Sequence, residues 1–183
     1  MRACVLLAPG FEEIEAVTII DVLRRAEIET EILGIEDLRV IGSHQITVEA
    51  DRKLSEALDE QWDLVVLPGG MPGASNLRDN DLVQSFLKNA DQAGAKIGAI
   101  CAAPIALVQA DLLKGKKATS YPSFEKQLSG TDYRREPVVV DGRIVTSRGP
   151  GTALDFALKL VEELRDQNAA DELAERMLHE RWS

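Results

Sequence analysis

Histidine is almost missing from this 183-residue chain, which holds only His44 and His179, so a mechanism that needs an imidazole base has a short list of candidates. Cysteine is equally scarce. Cys4 and Cys101 stand far apart, without the density of a secreted disulfide framework and without the Cys/His spacing of a zinc site, so both thiols are expected free and no metal is expected. Basic residues are outnumbered, 21 Lys and Arg against 31 Asp and Glu, and the net charge of −10 makes nucleic acid an unlikely bulk partner. No apolar run approaches the roughly 18 residues of a membrane span, and no basic segment followed by an apolar signal region opens the chain, so the expectation is a cytoplasmic protein with no membrane contact. No repeat, low-complexity tract or linker divides the sequence. Residues 1–183, 45% of them hydrophobic, are expected to form one domain with a substantial core.

What is present is an alternation of short apolar runs and amphipathic stretches. Ala3 to Ala8 is a continuous apolar run closed by Pro9-Gly10, the pattern of a strand buried on both faces, and a helix is expected from Glu12 to about Ala26. A second strand is read at Thr30 to Ile35, and a small hairpin at Val40-Ile41 with Ile46 to Val48. Asp63 to Leu67, closed by Pro68-Gly69-Gly70, repeats the buried strand and glycine loop, with a helix from near Asn80 to Ala93. Lys96 to Ile100 makes another strand, Cys101 sits on the turn, and Pro104 fits the first turn of the helix that follows. Val138 to Val140 and Arg143 to Ser147 flank Asp141-Gly142 as an antiparallel hairpin. Thr152 and Asp155 have the spacing of a capping box, and a last helix begins at Ala169. This order predicts an α/β fold: a three-layer αβα sandwich around a mostly parallel sheet, with ligands expected at the carboxyl ends of the strands.

Four loops converge on that edge: Pro9-Gly10, Pro68 to Gly70, Cys101, and Arg148 to Gly151. Ala99-Ile100-Cys101-Ala102-Ala103-Pro104 has the form of a nucleophile elbow carrying cysteine, with small residues flanking a sharp turn. The helix N-terminus behind Cys101 is expected to lower its pKa and favour the thiolate. Cys4, inside an apolar strand, is expected to be core packing. Gly69 and Gly70 offer amides to an oxyanion; a tight turn needing positive φ explains them equally well. Glu12, Glu13 and Glu15 crowd the first turn of one helix, mostly as ordinary dipole complement. Glu15 is selected as a desolvated acid because it is read as sharing the apolar side with Ile14 and Val17.

On these residues the chain resembles the ThiJ/PfpI superfamily, specifically its Parkinsonism-associated protein deglycase branch, also described as glyoxalase III-like. The matching blocks span nearly the whole chain: Ala8-Pro9-Gly10 with Glu12, Glu13 and Glu15; Asp21 to Arg25; Val66 to Gly70; Ala99 to Pro104; and Thr146 to Thr152. The resemblance implies a flavodoxin-like sandwich, usually a homodimer, with Cys101 as the reactive cysteine and Glu15 as the protonated glutamate beside it. It also implies a backbone oxyanion site at Gly69 and Gly70, to which the amide of Ala102 is added. Arg24 and Arg148 match arginines near the dimer interface and pocket. The cysteine of such proteins is readily oxidised to a sulfinic acid, which a neutral Glu15 would stabilise.

Two departures matter. The protease-like branch has histidine after the cysteine where Ala102 stands here, so peptide hydrolysis is not expected. Many deglycase relatives have a histidine in the segment matching Ser120-Tyr121-Pro122, where Tyr121 is a poor base at neutral pH. His44 falls in a loop where relatives often carry an arginine reaching the other subunit's pocket, and is read as a solvated or interface residue. The leading expectation is thus a cofactor-independent glyoxalase III or deglycase-like enzyme acting on small dicarbonyls such as methylglyoxal, or on their early glycation adducts. The rival is a redox-responsive stress protein or holdase chaperone. A thiazole-biosynthesis role ranks last, since no Gly-rich phosphate loop of the Walker kind is present.

Overall fold

The computed structural model describes residues 1–180. In chain order the elements are β1 (Arg2–Leu7), α1 (Glu13–Arg25), β2 (Glu29–Gly34), β3 (Arg39–Ile41), β4 (Thr47–Glu49), β5 (Arg52–Lys53), β6 (Leu64–Leu67), α2 (Gly73–Asp79), α3 (Asp81–Gln92), β7 (Lys96–Ile100), α4 (Pro104–Gln109), β8 (Lys117–Ala118), β9 (Asp132–Tyr133), β10 (Val138–Asp141), β11 (Ile144–Ser147), α5 (Ala153–Leu164) and α6 (Gln167–Arg176). The central sheet runs β10-β11-β7-β6-β1-β2-β5. Every neighbouring pair in it is parallel except β10 with β11.

The apolar runs become strands because both faces of the sheet are covered. In β1, Ala3, Val5 and Leu7 pack with α1, α5 and α6, while Cys4 and Leu6 pack with α2, α3 and α4. A period of two therefore sorts one unbroken apolar run into two cores. Full burial of a leucine such as Leu6 stabilises the fold by about 1.5–3 kcal/mol. Cys4 is completely buried, as expected of a packing residue, and burial pushes its thiol pKa well up.

Several local expectations need correction. The β10–β11 turn is closed by the pair Asp141 and Ile144, so its two central residues are Gly142 and Arg143, one later than the Asp-Gly dipeptide suggested; Gly142 takes φ +62°. Thr152 precedes α5 but makes no side-chain cap. Its hydroxyl accepts the amides of Arg148 and Gly149 instead, and Asp155 meets His179 at 3.0 Å. The capping box is replaced because the tight turn before α5 leaves its own amides to be satisfied first. Helix α2 gave no periodic apolar signal, since it is short and begins directly after a glycine loop. Asn80 does start α3, its side chain accepting from Leu82 and Val83.

Candidate active site

The strands β11, β7, β6 and β1 are consecutive neighbours and all parallel, so their carboxyl ends lie side by side. The four loops expected at this edge are there together. The Glu12 amide donates to Gly69 O (2.9 Å), the Gly73 amide to Gly10 O (3.2 Å), the Cys101 amide to Ser147 O (3.0 Å) and the Tyr121 amide to Cys101 O (2.8 Å). The chain leaves β1 first toward β2 and later returns to β6 on its other side, which makes this edge the topological switch of the sheet, where such folds open a crevice.

Cys101 joins β7 to α4 with φ +65°, a backbone conformation that costs a non-glycine residue energy and lifts the side chain off the sheet. The turn tolerates this because its neighbours are small. An added Cβ on Gly69 would stand 2.6 Å from Cys101 Cβ and 2.8 Å from Glu15 Oε2, so only glycine fits. Gly70 has φ +89°, so its turn also requires glycine.

Glu15 is completely buried. Its Oε2 accepts the Gly69 amide at 2.7 Å, and Oε1 is buried without a hydrogen-bond partner among the described residues. Burial pushes its pKa up to about 7, against the pull of the Gly69 amide and the Cys101 thiol, and with a further push from Glu12. Glu15 is desolvated as expected, but not by sharing a side with Ile14 and Val17. Ile14 and Val17 are 59% and 49% exposed and face outward, whereas Glu15 is buried with Ala16, Ile19 and Ile20 on the opposite side of α1.

Cys101 departs from expectation too. Burial, and then the negative charge of Glu15, push its thiol up to about 12, while the Gly70 and Ala102 amides pull it down. The helix end behind it does not prevail: α4 has six residues, and desolvation next to a carboxylate outweighs its dipole. The two groups therefore form one coupled unit. With a single proton between them, the sulfur is a thiolate only when that proton sits on Glu15.

The oxyanion assignments divide. The Gly69 amide is occupied by Glu15, so its role is to hold the acid; the amides that pull the Cys101 thiol down are those of Gly70 and Ala102. Tyr121 is bound to Cys101 through its backbone, and its ring lies against Gly149. Tyr121, Pro122, Arg148 and Pro150 line an open groove of about 220 Å³. Its two walls follow Cys101 O and Ser147 O, the two carbonyls bonded around the elbow. Arg148 lines this groove, tethered to Arg135 O at 2.7 Å. Arg24 does not. It sits nine residues beyond Glu15, about 13 Å along α1, bonded to Thr30 O and Asp51.

Neither histidine serves the thiol. His179 is bonded to Asp155, and His44 Nδ1 meets Glu13 Oε2 at 2.9 Å. Glu13 also accepts the His44 amide (2.6 Å) and the Ser43 hydroxyl (3.2 Å), clasping the β3–β4 hairpin to α1. Glu12, Glu13 and His44 bring three ligand-type atoms within 4.8 Å, but the carboxylates are accounted for by this clasp and by the helix cap. Sequence reasoning treated Glu12 and Glu13 as dipole complement and missed both roles. Glutamate is not a preferred N-cap, so no local signal marked Glu12.

A half-buried cysteine at positive φ on a strand-to-helix turn, paired with a buried acid at the switch point of an αβα sandwich, defines a class of cysteine-centred α/β proteins. Within it, the chain belongs to the DJ-1/PfpI family, whose model matches residues 1–163. It is 40% identical to protein dj-1beta of Drosophila melanogaster over 96% of both chains. It is 33% identical to the glutathione-independent glyoxalase DJR-1.2 of Caenorhabditis elegans, over 93% of this chain and 92% of that one. Among solved structures it is similar to oxidised Toxoplasma gondii DJ-1, with a TM-score of 0.94 and 39% identity over 97% of this chain and 98% of the other.

Proposed function

We propose that this protein is a cofactor-independent glyoxalase III or deglycase-like enzyme acting on methylglyoxal or its early glycation adducts. The observation that carries this reading is the half-buried Cys101 beside the fully buried Glu15, with the Gly70 and Ala102 amides pulling the thiol's pKa down. Methylglyoxal would add its aldehyde carbon to the thiolate, and the hemithioacetal alkoxide would rest on those two amides. Glu15, which holds the proton while the sulfur is a thiolate, gives it to that alkoxide; the resulting carboxylate takes the proton from the same carbon and returns it to the neighbouring carbon, the hydroxyl proton passes to the neighbouring oxygen, and a thioester is left. Water hydrolyses the thioester to lactate and frees the thiol, so the net reaction adds one water and needs no redox partner. On an aminocarbinol the same thiol displaces the amine.

Gly69 holds the acid, Tyr121 and Arg148 border the substrate groove, and the position of Tyr121 leaves the site one base short, so turnover is slow. The setting is cytoplasmic, where both thiols stay reduced; among the described residues no helix is long and apolar enough to cross a membrane. The working unit is a homodimer. Ile14 and Val17 on α1, with Ile41 and Ile46 on the neighbouring hairpin, leave an apolar face at least 48% exposed at each position, of the kind that marks an association surface.

A second reading is favoured by the half-buried sulfur beside a carboxylic acid: a redox-responsive stress protein in which Cys101 becomes a sulfinate hydrogen-bonded by Glu15, with holdase activity toward unfolded clients. Proton NMR of methylglyoxal in amine-free buffer separates the two. Lactate from the freshly reduced protein, lost in Cys101→Ser and Glu15→Gln, establishes the enzyme. No lactate, with peroxide-driven sulfinate formation and suppressed client aggregation, establishes the alternative.

A further inference from the structure

Three hydrogen bonds close a ring at the entrance to α1. The Glu12 amide donates to Gly69 O at 2.9 Å, the Gly69 amide donates to Glu15 Oε2 at 2.7 Å, and the Glu15 amide donates to Glu12 Oε2 at 2.7 Å. The ring is dry, since Glu12 is 7% exposed and Glu15 is fully buried. It also reaches the thiol's own donor: a Cβ on Gly70 would lie 2.4 Å from the Glu12 amide nitrogen, so Glu12 backs directly onto the residue whose amide faces Cys101.

Glutamate is an odd residue to find there. Short side chains such as Asp, Asn, Ser and Thr cap helices better, and a residue that breaks a local rule at a reactive centre points to a role beyond capping. Its charge has a direction. Within the pair, Glu12 acts on Glu15 and not detectably on Cys101; it also raises His44, which together with Glu13 is turned to the hairpin, the two paired with each other.

We propose that Glu12 is a positioning residue for the Cys101–Glu15 pair: its backbone and carboxylate close the ring that aims Glu15, and its negative charge biases the shared proton toward Glu15, leaving the sulfur as thiolate. The role rests on the reading of Cys101 and Glu15 as the reactive pair, but not on the identity of the substrate. Removing the charge lets Glu15 ionise at lower pH and returns the proton to sulfur in the singly protonated pair, so fewer thiolates are present at neutral pH.

The test is the rate of Cys101 alkylation by iodoacetamide, an uncharged reagent, followed by intact mass from about pH 5 to about pH 9. Cys4 is fully buried and does not compete. The wild-type rate rises to a plateau with the titration of Glu15. In Glu12→Gln, which keeps an accepting oxygen, the midpoint moves down by about half a unit to one unit and the plateau falls about three- to tenfold. Glu12→Asp, which restores the charge, recovers both. Should Glu12→Gln not fold, Glu12→Asn and Glu12→Asp form a second pair of good caps that differ only in charge. The proposal is overturned if the charged and uncharged variants behave alike, or if Glu12→Gln keeps the wild-type midpoint and plateau. It is overturned as well if Glu15→Gln retains the wild-type midpoint, because the pair itself is then absent. A wild type that makes no lactate but shows these shifts refutes the glyoxalase reading and leaves the role of Glu12 standing.

Discussion

Replacing Glu15 with glutamine is expected to make the protein more stable at pH 8 while disabling its chemistry. Burial raises the Glu15 pKa from an ordinary 4.5 to about 7, so the folded state holds this proton more tightly than the unfolded chain does. The stability that comes from the bound proton is fully present below about pH 4.5 and is lost as pH rises through about 7. At about 1.4 kcal/mol per unit, that span corresponds to about 3 kcal/mol of strain carried by the ionised carboxylate above pH 7. Glutamine resembles the neutral acid, keeps an oxygen for the Gly69 amide and cannot ionise. Urea unfolding of reduced wild type and Glu15→Gln should therefore give similar stabilities at about pH 4.5, with a gap opening to about 3 kcal/mol in favour of the variant at about pH 8. For a chain of this size that corresponds to a Tm difference of about 6–12 °C. A gap that does not change with pH, or a variant less stable than wild type at pH 8, would refute the reasoning and show that Glu15 is comfortably ionised in the fold. The expected result is the trade of stability for function that reactive sites commonly show.

Gly69→Ala places a methyl group 2.6 Å from Cys101 Cβ and 2.9 Å from Ile100 O; thermal unfolding should show a Tm drop of at least about 5 °C, and iodoacetamide should label Cys101 with altered kinetics. The His44–Glu13 clasp should be strongest between about pH 4.5 and about 6.5. Burial alone would raise Glu13, but the His44 ring and amide outweigh it and lower its pKa, so its contribution is lost as pH falls; the partner carboxylate raises His44, whose contribution is lost as pH rises. Amide exchange of residues 42–46 should be slowest in that window and uniformly fast in Glu13→Ala. Ile14→Asp combined with Ile46→Asp should convert the expected dimer to monomer in analytical ultracentrifugation, and an unchanged sedimentation coefficient would reject the apolar face as the interface.

How much was legible varies with how local the cause is. Strand β7, the cysteine turn, the start of α3 near Asn80 and the antiparallel pairing of β10 with β11 are written in neighbouring residues and followed from apolar runs, proline and glycine. The Gly69 amide was not legible as occupied: whether it waits for an oxyanion or is already bonded depends on Glu15, 54 residues earlier. Arg24 looked like a site residue, yet the direction of α1 carries it away from the edge where Glu15 sits.

By itself, the amino-acid sequence determined a doubly covered, mostly parallel sheet, one cysteine at a turn rather than in a core, and a cluster of acids at the start of one helix. Each of these follows from periodicity and turn chemistry within a few residues. Only the tertiary structure decided which acid faces the sulfur, which amides are free, and which way the thiol's proton affinity moves. Those outcomes depend on desolvation and on distances of a few ångströms between segments far apart in the chain, and electrostatics in a dry interior is set by what surrounds a group in space rather than by what precedes it in sequence.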